Sequence, residues 1–120
     1  MACILLAEDD TSMRVFLARA LERAGHTVVS AADGEKALRA IAEQAGFDLL
    51  IADIVMPGLD GIELARRATL AAPKLRVMFI TGFAAVTLSG GQVAPRAAKV
   101  LSKPFHLRDL VQEVERLLAA

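Results

Sequence analysis

Five short apolar runs, at residues 3–7, 27–31, 47–52, 77–81 and 98–101, alternate with stretches whose apolar residues recur every three or four positions. This alternation limits the available folds more than any other feature of the chain. Several of the runs are continuously apolar, which suits parallel strands covered on both faces. Parallel neighbours need a crossover connection, and the helix-period stretches supply one after each run. The pattern predicts an α/β domain, a doubly wound parallel sheet with helices on both faces.

The helical stretches carry their own punctuation. Met13, Phe16, Leu17, Ala20, Leu21 and Ala24 read as one buried face, closed by Gly25. A second helix is expected to start at Asp33-Gly34, bury Ala37, Leu38 and Ile41, and stop at Gly46. Asp60 suits the N-cap of a third, running to about Ala71 before Pro73. Leu107, Leu110, Val111, Val114, Leu117 and Leu118 form the stripe of a last helix, while residues 84–88 allow only a short one before Ser89-Gly90-Gly91. His26 falls in a turn and reads as solvated. Cys3 reads as a small apolar filler, and Met13, Met56 and Met78 as core or site-wall packing.

Composition excludes several functions. At 120 residues the chain holds one core and has no room for a separate sensor or output module. No apolar run approaches the ~18 residues of a membrane span. The N-terminus lacks a basic start and reaches Glu8-Asp9-Asp10 too soon for a signal peptide. A single cysteine rules out a disulfide framework and a cysteine-based zinc site. Fourteen acidic and fourteen basic side chains give no electrostatic reason to expect nucleic acid or an anionic membrane. The expectation is a compact cytoplasmic domain, with neither nucleic acid nor membrane insertion.

In doubly wound sheets, ligands sit beyond the carboxyl ends of the strands. There the chain places Glu8, Asp9 and Asp10 after the first run, Asp53 after the third, Thr81-Gly82 after the fourth and Ser102-Lys103-Pro104-Phe105 after the fifth. Carboxylates gathered at one edge repel one another unless a cation is present, and an oxygen-only set favours a hard ion such as Mg2+. With the Lys103 ammonium and the Thr81 hydroxyl, that set suits a transferring phosphoryl group. Asp53, at the end of an apolar strand that fixes its backbone, is the candidate nucleophile. Asp10 reads as the N-cap of the first helix. His106 reads as a helix-start residue, neither ligand nor phosphoacceptor.

These residues resemble the receiver domain of two-component response regulators. The resemblance spans essentially the whole chain and rests on Glu8-Asp9, Asp53, Met56-Pro57-Gly58 with Asp60-Gly61, Thr81-Gly82 and Lys103-Pro104-Phe105. It implies a flavodoxin-like (βα)5 fold with strand order 2-1-3-4-5. It implies Asp53 as phosphoacceptor and a Mg2+ ion held by Asp9, Asp53 and the Val55 carbonyl, with Glu8 acting mainly through water. Thr81 and Lys103 would contact the phosphoryl oxygens. Residues 53–57, 77–86 and 99–108 further resemble single-domain cell-cycle regulators of alphaproteobacteria that control substrate delivery to the ClpXP protease. That implies phosphate arriving from a histidine phosphotransfer protein or histidine kinase, and an unphosphorylated form active toward the protease.

The chain departs from the family at Val100, where many receivers carry the aromatic whose rotamer reports phosphorylation. Phe83 is the candidate to take over that movement, which makes residues 83–94, the fifth strand and the last helix the expected partner surface. Val55 and Phe83 are apolar where the family lines the phosphate, so neither orients an attacking water.

Three alternatives share parts of this pattern. An aspartate-nucleophile phosphatase or phosphotransferase also uses Mg2+, but generally needs an acid two residues after the nucleophile, where Val55 stands. A flavodoxin needs a phosphate loop after the first strand and aromatic stacking, and the chain has no Trp or Tyr. A receiver can also serve only as a phosphate shuttle. Met1 just before the first strand and an end just after the last helix suggest one complete receiver over residues 1–120, without an output domain. Such a domain is a phosphoacceptor, not an enzyme with a separate substrate.

Overall fold

The computed structural model describes residues 2–81, 99–102 and 106–119, with the backbone alone at residues 81, 99, 100 and 102. The expected helix over 84–88, Phe83 and the Lys103-Pro104-Phe105 run lie outside the described residues. Within them the order is β1 (Cys3–Ala7), α1 (Thr11–Arg23), β2 (Thr27–Ala31), α2 (Gly34–Glu43), β3 (Leu49–Asp53), α3 (Gly61–Ala71), β4 (Arg76–Thr81), β5 (Lys99–Ser102) and α4 (Leu107–Ala119). All strands pair in parallel, in the order β2-β1-β3-β4-β5 expected from the sequence.

Alternate residues of the central strands feed two cores. Leu5, Ala7, Leu50, Ala52, Val77 and Phe79 pack with Ala37 of α2 and Ile62, Leu64, Ala65 and Ala68 of α3. On the opposite face Ile4, Leu6, Leu49, Ile51, Met78 and Ile80 pack with Leu17 and Leu21 of α1 and Leu110 and Val114 of α4. A two-residue period sorts the strand side chains between faces, and the unbroken apolar runs serve both.

Each of the first three helices begins on an aspartate. Asp10, Asp33 and Asp60 have extended backbones and accept from the N–H of Met13, Lys36 and Glu63 at 2.9, 2.8 and 2.8 Å. Each bond satisfies one N–H that the first turn leaves without a partner. Gly25 follows the last residues of α1 with φ of 101°, a conformation open to glycine at little cost. Among the described residues, no helix is long and apolar enough to cross a membrane.

Some boundaries and faces differ from the sequence reading. Phe47 packs against the core but precedes the ladder, and β3 begins at Leu49 and runs on through Asp53. The Asp48 carboxylate ties this entry down, accepting from the Cys3 N–H at 2.9 Å. On α1, Leu17, Ala20 and Leu21 are buried, but Phe16 is 56% exposed and Ala24 is exposed as well. Phe16 lies about 100° around the helix from Leu17, lining a surface groove with Val15 and Arg19 and with Leu107 of α4.

His26 is the larger correction. Its side chain is only 4% exposed. Nδ1 accepts from the Ala2 N–H at 3.1 Å, and Nε2 meets Oε1 of Glu115 at 2.7 Å. Because Nδ1 must offer its lone pair to Ala2, the proton of the neutral ring resides on Nε2 and is donated to Glu115. The ring ties the start of β1 to α4. His26→Ala is expected to destabilise the domain by about 2 kcal/mol, since it leaves a covered N–H without an acceptor and removes a charge-assisted bond. Glu115→Gln should cost under about 1 kcal/mol because that side chain is largely exposed. Urea unfolding midpoints check both, and equal midpoints for His26→Ala and the parent would contradict the assigned bonds.

Candidate functional site

Parallel strands bring all their carboxyl ends to one edge. Ala7 pairs with Ala52, Asp53 with Ile80 and Thr81 with Ser102. Glu8 and Asp9 therefore leave β1 beside Asp53, the last rung of β3. One ladder step beyond, the backbone of Thr81 ends β4. This is the switch point, since the connection from β1 winds one way to β2 while β3 lies on its other side.

The three carboxylates meet as the sequence predicts. One ligand oxygen from each of Glu8, Asp9 and Asp53 lies within 4.8 Å of the others. Glu8 is fully buried, Asp53 is 6% exposed and Asp9 faces solvent. Two covered acids and one open one form a cup with a single wet side. The donors are all oxygens, without nitrogen or sulfur, which fits a hard divalent cation.

Backbone bonds hold the cup rigid. The Glu8 N–H donates to the Ala31 carbonyl at 3.1 Å, and one Glu8 carboxylate oxygen accepts from the Asp10 N–H at 3.1 Å. The Asp53 carboxylate accepts from the Val55 N–H at 3.2 Å, which turns the chain back over it. The Val55 side chain is 53% exposed and points no polar atom at the site. The Ile54 N–H bonds the Ile80 carbonyl at 3.1 Å, and the Gly61 N–H bonds the Ile54 carbonyl at 2.9 Å, so α3 starts directly against the end of β3.

Other expectations are settled more simply. His106 is exposed just before α4, where its carbonyl accepts from the Asp109 and Leu110 N–H groups at 3.0 and 3.2 Å. It starts the helix, as its position suggests. Met56 and Met78 are buried and Met13 is half-buried. Cys3 has its thiol pushed up, first by burial and then by the Asp48 charge, so it holds little thiolate. The Lys103 and Phe83 side chains, and those of Thr81 and Val100, lie outside the described residues.

Two contributors were not legible as such. Arg14 reaches the Glu8 carbonyl from Nη1 at 2.8 Å, yet in sequence it resembles any arginine on a solvated helix face. Gly61 abuts Asp53, and a Cβ there would collide with the Asp53 carbonyl oxygen and lie 2.8 Å from its carbonyl carbon. The available signal was a poor helix former placed directly after a good N-cap.

Known proteins resemble this chain in sequence and fold. The chain is 61% identical over 117 residues to the response regulator receiver protein CpdR of Brucella abortus, covering 98% of this chain and 97% of that one. The closer resemblance read from residues 53–57, 77–86 and 99–108 is to this regulator, and it is borne out. Identity to the sensor kinase CckA of the same organism is 35% over 118 residues, 98% of this chain but only 12% of the kinase. The structure of the Thermotoga maritima response regulator TrrA, in complex with Mg2+ and BeF, superimposes with a TM-score of 0.84 at 26% identity, covering 98% of this chain and 99% of that one. The family model of the response regulator receiver domain matches residues 4–115. A doubly wound sheet with an acidic cup at its switch point agrees with that match, and the chain belongs to the response regulator receiver domain family.

Proposed function

We propose that this protein is a phosphorylation-controlled signalling module of a two-component phosphorelay. The observation that carries the proposal is the convergence of Glu8, Asp9 and Asp53 within 4.8 Å at the carboxyl edge of the sheet. An oxygen of the Asp53 carboxylate attacks the phosphorus of a phosphohistidine on a histidine phosphotransfer protein or kinase. The P–N bond breaks as the P–O bond forms, and its electron pair stays on the departing imidazole. A Mg2+ ion, held by Asp9, Asp53 and the Val55 carbonyl and by Glu8 through water, would offset the charge gathering on the phosphoryl oxygens. Thr81 and Lys103 would contact the same oxygens. Asp53 is rigid before the reaction begins, so little reorganisation is required of the acceptor.

The switch acts on binding, through a surface including Phe83 and Val100. Likeness to CpdR supports a cytoplasmic role in the cell cycle, with ClpXP-type proteolysis as the process controlled. The module acts as a single receiver over residues 1–120 and is itself the phosphoacceptor. Incubation with acetyl phosphate and Mg2+, followed by mass spectrometry of the peptides, tests the chemistry. The phosphoryl group is expected on the peptide holding Asp53, and a label on His106 would refute it.

The lifetime of that group follows from its neighbours. Val55 is half-exposed and its side chain offers no donor or acceptor to an incoming water, and the Phe83 side chain is equally apolar. Replacing both, with Val55→Asn and Phe83→Glu, should speed loss of phosphate by about a hundredfold, the low end of what a positioned acid–base group contributes. Decay of purified phosphoprotein measures this, and equal rates in parent and double variant would dispose of the argument.

A further inference from the structure

Residues 8–10, between β1 and α1, carry two of the three clustered carboxylates. A side chain outside the cluster braces this turn. Arg14 folds back along the start of α1, donating from Nη1 to the Glu8 carbonyl at 2.8 Å and from Nη2 to the Thr11 hydroxyl at 3.4 Å. Glu8 is thereby fixed by its N–H on Ala31, by its carboxylate on the Asp10 N–H and by its carbonyl on Arg14. Of these three bonds only the last uses a side-chain donor, so only it depends on the identity of a residue elsewhere in the chain.

Arg14 acts on a cation in the cup in two opposite ways. Its positive charge stands beside a ligand residue and repels the ion. Its two bonds fix the turn and keep the Glu8 and Asp9 oxygens near Asp53, which favours the ion. Arg14 is half-buried and not enclosed, so solvent and salt screen the repulsion. The bracing is local and is not screened. The geometric effect is therefore the larger.

We propose that Arg14 is a positioning residue that sets the divalent-cation affinity of the Glu8–Asp9–Asp53 cup through the Glu8 main chain, without touching the ion. The proposal rests on the reading of the cup as a Mg2+ site. Calorimetric titration of the full unphosphorylated chain with Mg2+ tests it on the parent, Arg14→Met, Arg14→Lys and Asp9→Ala. Arg14→Met is expected to bind Mg2+ about tenfold more weakly, as a lost supporting contact does elsewhere. Arg14→Lys keeps the charge and one donor for the Glu8 carbonyl but cannot also reach Thr11, and should fall between parent and Arg14→Met. Removal of a cation that acted by charge alone would instead tighten binding. An affinity for Arg14→Met equal to or tighter than the parent's overturns the proposal, whatever happens to its melting temperature. If that variant does not fold, parental affinity in Arg14→Lys overturns it equally. Failure of the parent to bind Mg2+, or undiminished binding by Asp9→Ala, defeats the cation reading itself and this proposal with it.

Discussion

The Asp53→Asn protein is expected to take up no phosphate from acetyl phosphate or from a phosphohistidine donor, at any Mg2+ concentration. The substitution preserves size and planarity, so the last rung of β3 and its pairing with Ile80 should survive. An amide oxygen carries no full charge to attack phosphorus, and the adduct it would form is not an acyl phosphate. Loss should therefore be complete and not graded. Circular dichroism should show the fold intact, which separates chemistry from unfolding. Phosphate incorporation by Asp53→Asn at the parental rate, or its relocation to another aspartate of the cup, would end the assignment of Asp53.

Gly61→Ala should have the next largest effect, although position 61 bears no chemical group. Gly61 opens α3, where alanine ordinarily gains about 1 kcal/mol over glycine. Here the added methyl meets three atoms of one peptide unit: the Asp53 carbonyl oxygen, its carbonyl carbon at 2.8 Å and the Ile54 Cα at 2.9 Å. None of these is the movable end of a side chain. Either α3 is pushed outward or the end of β3 shifts, and overpacking of this kind costs about 1–3 kcal/mol. Because the obstacle is backbone, the cost is taken at the top of that range, about 3 kcal/mol, and less the propensity gain it leaves a net loss of about 2 kcal/mol in urea unfolding. A fall in Mg2+ affinity would mark the second outcome, in which Asp53 is displaced, and unchanged affinity the first. Stability equal to or above the parent's would show that the helix start accommodates the methyl.

Fold and site were legible to different depths. Unbroken apolar runs such as Leu49-Leu50-Ile51-Ala52 announce strands covered on both faces, and Asp10, Asp33 and Asp60 announce helix starts, because both signals are local. The carboxylates of the cup were legible because parallel winding sends every strand end to one edge. What escaped depends on distant partners. His26 looks like a turn residue until Glu115, 89 positions away, closes on it. Phe16 shares the helical period of its buried neighbours, and only the placement of α4 decides which flank of α1 stays open. Arg14 acts through a main-chain carbonyl, which no side-chain pattern can advertise.

β3 lies between β1 and β4, with every one of its residues buried. Asp53, the acceptor proposed above, pairs with Ile80 on one side and stands one rung past the Ala7–Ala52 pair on the other, so it cannot carry a message by its own displacement. Adding phosphate changes charge and oxygen count at a point that stays still. The work of signalling then falls to whatever chain is drawn toward that point, and the strand serves as the fixed anvil against which movement is registered.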